Sequence, residues 1–112
     1  MNRTYIIAEA GVNHNGDLAM AKRLVEVAAA AGADAVKFQT FTSGTLASKH
    51  APKAEYQLAT TDQSESQHDM LKALELDRAS HDILAAHCRQ HGIAFLSSAF
   101  DLDSLDLLLG MD

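Results

Sequence analysis

What most constrains this chain is an alternation: short apolar runs take turns with helix-patterned stretches, and each apolar run ends in polar residues. TYIIAEAG (residues 4–11) is partly β-branched and reads as a buried strand. Asp17 then caps LAMAKRLVEVAAAAG, whose apolar Leu18, Ala21, Leu24, Val25 and Ala28 follow the i, i+3, i+4 spacing of a helix closed by Gly32. DAVKFQTF (34–41) is a second strand. A long polar stretch, residues 42–67, holds the single proline, Pro52, and a connection of that length reads as a functional loop. SQHDMLKALEL predicts a short helix. Asp77 or Ser80 caps a further one, HDILAAHCRQHG, closed by Gly92. IAFLSSAF is the third strand, and Asp101 caps a last helix, LDSLDLLLG. Strands alternating with helices imply parallel strands joined by right-handed crossovers.

Two α/β architectures fit such an order. A dinucleotide-binding doubly wound sheet places G-x-G-x-x-G after its first strand. Here that strand runs into GVNHNG, and no phosphate-loop lysine motif occurs anywhere. A (β/α)8 barrel instead sets polar groups at the C-terminal ends of several strands. All three strands here end that way, in AEAGVNHNG, VKFQTF and LSSAFD. The expectation is an α/β chain forming the first three βα units of a (β/α)8 TIM barrel. A whole barrel takes about 250 residues, so residues 1–112 are read as an incomplete, N-terminal segment with one sheet edge and part of a core left open.

Charge and composition close off several function classes. Nine Lys and Arg against fifteen Asp and Glu leave a net charge of -6, with no basic stripe for nucleic acid. An acidic chain holds an anionic substrate only through a local cluster. The lone cysteine, Cys88, forms no internal disulfide, which suits a reducing compartment. No apolar run approaches the roughly 20 residues that span a bilayer, and the N-terminus lacks a leader's apolar stretch. A cytoplasmic protein without a membrane partner is expected.

Glu9, at the end of the first strand, is placed to act as a base, bind a substrate hydroxyl or hold a metal; the plainer alternative is a salt-bridged structural glutamate. Lys37 and Gln39 share one face of the second strand, opposite Val36 and Phe38. If the apolar pair faces helices, Lys37 points inward, to hold a phosphate or carboxylate or to form a Schiff base; otherwise it is an edge lysine facing water. Ser97, Ser98 and Asp101 end the third strand, where hydroxyls and a helix N-terminus suit phosphate and where Asp101 also serves as an ordinary cap. His14, between Asn13 and Asn15, is a candidate acid, base or ligand in a stretch that equally suits a simple turn. His87 and His91 are four apart on one helix, but with no intervening Glu and no third ligand they read as solvated residues. His50, His68 and His81 carry no signal, and Met20 and Met70 read as filler.

With these residues in view, the chain resembles the N-terminal half of the barrel of sialic acid synthases, the N-acetylneuraminate synthase family. The resemblance lies in IIAEAGVNHNGDLAMAKRL, AGADAVKFQTF, APKAEYQLATT, ESQHDMLKALEL and FLSSAFD, five segments in order over nearly the whole chain. It implies a metal-assisted (Mn²⁺ or Mg²⁺) condensation of phosphoenolpyruvate with an N-acetylated hexose, N-acetylmannosamine, giving N-acetylneuraminate and phosphate. C3 of phosphoenolpyruvate attacks the sugar aldehyde, water adds at C2, and phosphate leaves with C–O cleavage. Carried over by position, the resemblance makes Glu9 the catalytic glutamate near the sugar and metal-bound water. Lys37 binds phosphoenolpyruvate, and Gln39 reaches the sugar. Ser98 takes the place of a threonine in an STPF pattern, here SSAF, so the hydroxyl stays and the proline is lost. Tyr56, in the AEYQ loop, is a substrate contact. The family's metal-binding histidines and its C-terminal antifreeze-like domain lie beyond Asp112, so the metal's protein ligands are expected outside this chain. These 112 residues alone are expected to be inactive, and the full-length form to be a homodimer. A synthase of a related nonulosonate, a legionaminic-type acid, and a non-catalytic truncated βα module are the alternatives.

Overall fold

The structure is a computed structural model and describes residues 3–42 and 67–111. Tyr56, Pro52 and His50 lie outside the described residues. In chain order the elements are β1 (Ile7–Gly11), α1 (Leu18–Ala30), β2 (Ala35–Thr40), α2 (Gln67–Leu74), α3 (Arg78–Gln90), β3 (Ala94–Ala99) and α4 (Leu102–Gly110). The three strands form one parallel sheet in the order β1-β2-β3. Every element expected from the sequence is present, and the architecture is that of successive βα units of a (β/α)8 barrel.

The boundaries differ where a side chain takes over backbone pairing. Residues 4–6 stand outside β1, and Ile6 bonds to Asp34 in the turn before β2 and to Ala35 at its start. Its N–H donates to the Asp34 carboxylate at 2.8 Å, and its carbonyl accepts from Asp34 and Ala35 N–H. Asp34 also pairs with Arg3. The bond from Ile6 N–H, followed by the one from Arg3, holds the Asp34 carboxyl below the usual carboxylate range. Asp77, not Ser80, caps α3: its carboxylate accepts from Ser80 N–H at 2.8 Å. Asp17 and Asp101 cap α1 and α4 as expected.

One side of the sheet is closed by helices. Val36 and Phe38 are buried against Ala21, Val25 and Ala28 of α1 and Leu84 and Cys88 of α3. Alanines at two of the three buried α1 positions let that helix lie close to the sheet. Burial of a side chain the size of Val36, Phe38 or Leu84 contributes about 1.5–3 kcal/mol each. Phe38 also stacks on Phe95, ring centroids 5.9 Å apart. The other side of the sheet has no helix on it among the described residues, and there Ile7 and Leu96 are exposed.

The β1–α1 connection is a run of tight turns: Asn13 N–H to Ala10 carbonyl, Asn15 N–H to Val12, Asp17 N–H to His14. Gly16 is required in it twice over. Its φ is +77°, and a Cβ there would sit 2.0 Å from the Ala73 carbonyl oxygen at the end of α2.

Candidate active site

Period-two alternation places Glu9, Lys37, Gln39 and Ser98 on the open side of the sheet. The register sets Glu9 beside Lys37, Lys37 beside Leu96, and Gln39 beside Ser98. β2 is the central strand, bonded on both sides, so the edge-lysine alternative for Lys37 does not hold. Lys37 Nζ lies 3.3 Å from Glu9 Oε2, the two side chains being 38% and 49% exposed. A pair so exposed contributes at most about 1 kcal/mol to stability. Two charged groups on adjacent strands are thus held in place without much return to the fold.

A break in the β1–β2 register shapes this corner. Glu9 pairs with Lys37 but Gly11 pairs with Phe38, so the ladder shifts between Glu9 and Gly11. Gly11 has φ +57°, and a Cβ on it would stand 3.4 Å from Glu9 Oε1 and 3.7 Å from Gln39 Nε2. The glycine therefore serves both the bend and the approach of the Glu9 and Gln39 side chains. Glu9 keeps one oxygen toward the ammonium and the other toward Gly11 and Gln39. The arrangement offers an ammonium, a carboxylate, an amide and a hydroxyl at the carboxyl ends of three parallel strands, the place where barrel chemistry is carried out.

The sequence profile of the NeuB family matches residues 24–112. The chain belongs to the NeuB family. It is 56% identical over 108 residues to the N,N'-diacetyllegionaminic acid synthase of Campylobacter jejuni, covering 96% of this chain and 32% of that protein. To the synthase of the same description from Legionella pneumophila it is 52% identical over 107 residues, covering 96% and 30%. The solved N-acetylneuraminic acid synthetase of Leptospira borgpetersenii, a citrate complex, superposes with a TM-score of 0.76 at 30% identity, covering 98% of this chain and 34% of that one. The chain spans about a third of the length of the curated relatives it matches.

This NeuB-family chain also carries a second polar cluster that sequence reasoning missed. Thr40 and Ser97 have the opposite parity to Gln39 and Ser98, so they face the helices. Thr40 Oγ1 lies 2.8 Å from His81 Nε2 and 2.6 Å from Ser97 Oγ, and His81 Nδ1 lies 2.8 Å from the Asp77 carbonyl. The carbonyl only accepts, so Nδ1 donates to it. In the neutral imidazole Nε2 then accepts from the Thr40 hydroxyl, which in turn accepts from Ser97. Ser97 thus bonds to Thr40 on the helix side, opposite Ser98, and His81, silent in the sequence, is buried.

His14, the candidate acid, base or ligand, is buried beside Phe38 and is not on the open face. It is 0% exposed, its ring 6.1 Å from Phe38, with Nδ1 accepting from Gly16 N–H at 2.9 Å. The proton therefore sits on Nε2, which has no hydrogen-bond partner among the described residues. Burial above all, and secondarily the neighbouring His81, lowers the His14 pKa below its ordinary 6.5. A glycine two residues on is the one local hint that this histidine turns inward to the backbone.

Proposed function

We propose that this chain carries part of the substrate site of a nonulosonate synthase of the legionaminic type, which condenses phosphoenolpyruvate with a diacetylated, bacillosamine-derived mannose. The reading rests on Glu9, Lys37, Gln39 and Ser98 meeting on the open side of the sheet. The choice of product rests on identities of 56% and 52% to two diacetyllegionaminic acid synthases against 30% to the N-acetylneuraminic acid synthetase. That contrast favours the diacetylated sugar over N-acetylmannosamine, the sugar expected from the sequence. In this reading residues 1–112 are the first three βα units of a longer barrel, whose remaining strands would cover Ile7 and Leu96.

Each residue has a task its chemistry suits. Lys37 holds the carboxylate or phosphate of phosphoenolpyruvate as a point charge. Ser98 donates its hydroxyl to the same anion from the neighbouring strand. Gln39, beside the bend at Gly11, has both a donor and an acceptor with which to orient the sugar's hydroxyl or acetamido groups. Glu9 binds a sugar hydroxyl and fixes the Lys37 ammonium between itself and the anion. Tyr56, outside the described residues, is kept as a proposed substrate contact on the family resemblance alone.

Glu9 neutralises part of the Lys37 charge, so an almost trianionic substrate calls for more positive charge than these residues offer. A divalent Mn²⁺ or Mg²⁺ fits that need: the Glu9 carboxylate is a hard oxygen donor that would hold one of the ion's waters. When bound, such an ion supplies Lewis-acid polarisation of the sugar aldehyde.

The deciding experiment follows phosphate release by the protein containing this chain, with phosphoenolpyruvate and either the diacetylated sugar or N-acetylmannosamine. Turnover with the diacetylated sugar at least tenfold above that with N-acetylmannosamine is expected. The reverse preference assigns the protein to neuraminate synthesis, and phosphate release with neither sugar removes the proposal.

A further inference from the structure

On the outer surface of the helices, away from the open face of the sheet, a carboxylate and two imidazoles converge. His87 Nε2 of α3 lies 2.9 Å from Glu26 Oε2 of α1, and the His87 and His91 rings are 4.5 Å apart between centroids. One ligand atom from each of Glu26, His87 and His91 can be chosen so that all three lie within 4.8 Å of one another. The sequence had presented the histidines as a bare i, i+4 pair. The third donor comes from a helix 61 residues away.

The placement is not accidental crowding of long side chains. Val25, next to Glu26, and Leu84 and Cys88, on either side of His87, are buried in the core that joins α1 to α3. The two helices are therefore held together beneath the cluster, with Glu26 and His87 partly buried and His91 exposed. Bonds of about 2.0–2.1 Å in a tetrahedral zinc site put donor atoms roughly 3.4 Å apart. Glu26 and His87 are already nearer than that, and His91, exposed, is free to swing in. The other Glu26 oxygen is 3.3 Å from Arg23 Nη1, which steadies the carboxylate as an outer partner commonly does. Cys88 takes no part: it is buried, and burial pushes its thiol up to about 11. A plain hydrogen bond between His87 and Glu26 accounts for two of the three residues but leaves the His91 ring packed beside another imidazole, with no hydrogen-bond partner for its nitrogens among the described residues.

We propose that Glu26, His87 and His91 form a site for a divalent transition-metal ion of the zinc class, clamping α1 to α3. Two imidazole nitrogens and one carboxylate oxygen are the donors such ions take, and the exposed side leaves a fourth position for water. The hard ions Mg²⁺ and Mn²⁺ prefer oxygen donors, so this site and the proposed synthase chemistry call for different metals.

The test titrates the chain with zinc alone by calorimetry and with cobalt(II) by visible absorption, in the wild type and in His91→Ala and Glu26→Gln. Both substitutions spare the fold: His91 is exposed, and glutamine keeps an acceptor for His87. One equivalent of zinc is expected, with a tetrahedral cobalt band and a raised melting temperature. Each variant should bind zinc at least tenfold more weakly, since each removes one of three ligands. Unchanged affinity in both variants overturns the proposal, as does the absence of zinc binding to the wild type at about 100 µM, a concentration at which a three-ligand site would fill.

Discussion

The two sides of the sheet carry polar clusters a single residue apart in sequence and opposite in character. Toward the helices, Thr40, His81 and Ser97 are closed in and spend their hydrogen bonds on one another. Toward the open face, Gln39 and Ser98 sit with Glu9 and Lys37, half exposed and joined by one weak ion pair. The same strands thus build a saturated network that serves the fold and an unsaturated one suited to a ligand. A polar group next to a barrel strand's end is informative only once its parity is known.

That contrast breaks most visibly at Phe38, which is fully buried between the helices and Phe95. Phe38→Ala should cost about 3–5 kcal/mol, read as a lower urea midpoint. Thr40→Val, which strips His81 Nε2 of its donor and Ser97 of its acceptor, should cost about 1–3 kcal/mol in the same titration. On the other side, Glu9→Gln and Lys37→Met should each shift stability by less than about 1 kcal/mol. Their effect should fall on the reaction instead: Glu9→Gln lowers turnover by about 10²-fold or more, and Lys37→Met mainly raises the phosphoenolpyruvate KM. Near-normal kinetics in both would return the Glu9–Lys37 pair to a structural role.

The smallest effect separates the sides by pH. His14 is buried and its folded pKa lies below 6.5, so the unfolded chain takes up a proton that the folded chain refuses. Its contribution is complete above about pH 6.5 and is lost as pH falls from there toward the folded value, by at most about 1.4 kcal/mol per unit. Melting at pH 5.5 and 7.5 should show a steeper acid loss in the wild type than in His14→Gln. Equal slopes would mean that the ring is protonated without penalty.

The open face was legible in the sequence because alternation and strand-end position involve only neighbouring residues. Lys37 and Gln39 could be assigned to one face from spacing alone, Glu9 was marked by its strand-end position, and helix caps at Asp17 and Asp101 are equally local. The closed cluster was not legible. Thr40 meets His81 and Ser97 across 41 and 57 residues, and although His81 shares the i, i+3, i+7 face of Leu84 and Cys88, that spacing names no partner. Glu26 was invisible as a partner of His87 for the same reason. Their meeting is set by how α1 and α3 cross the sheet, which hydrophobic periodicity specifies only as a face and not as a pairing.

Asp101 shows what such long-range pairing does mechanically. One carboxylate oxygen accepts from Ser104 N–H at the start of α4 and the other from Thr42 N–H just past β2. Pulling the chain away at Thr42 therefore also unseats a helix cap. For protein engineering this makes Thr42 an anchor: a change that keeps its N–H bond to Asp101 leaves the end of β2 tied to the cap of α4.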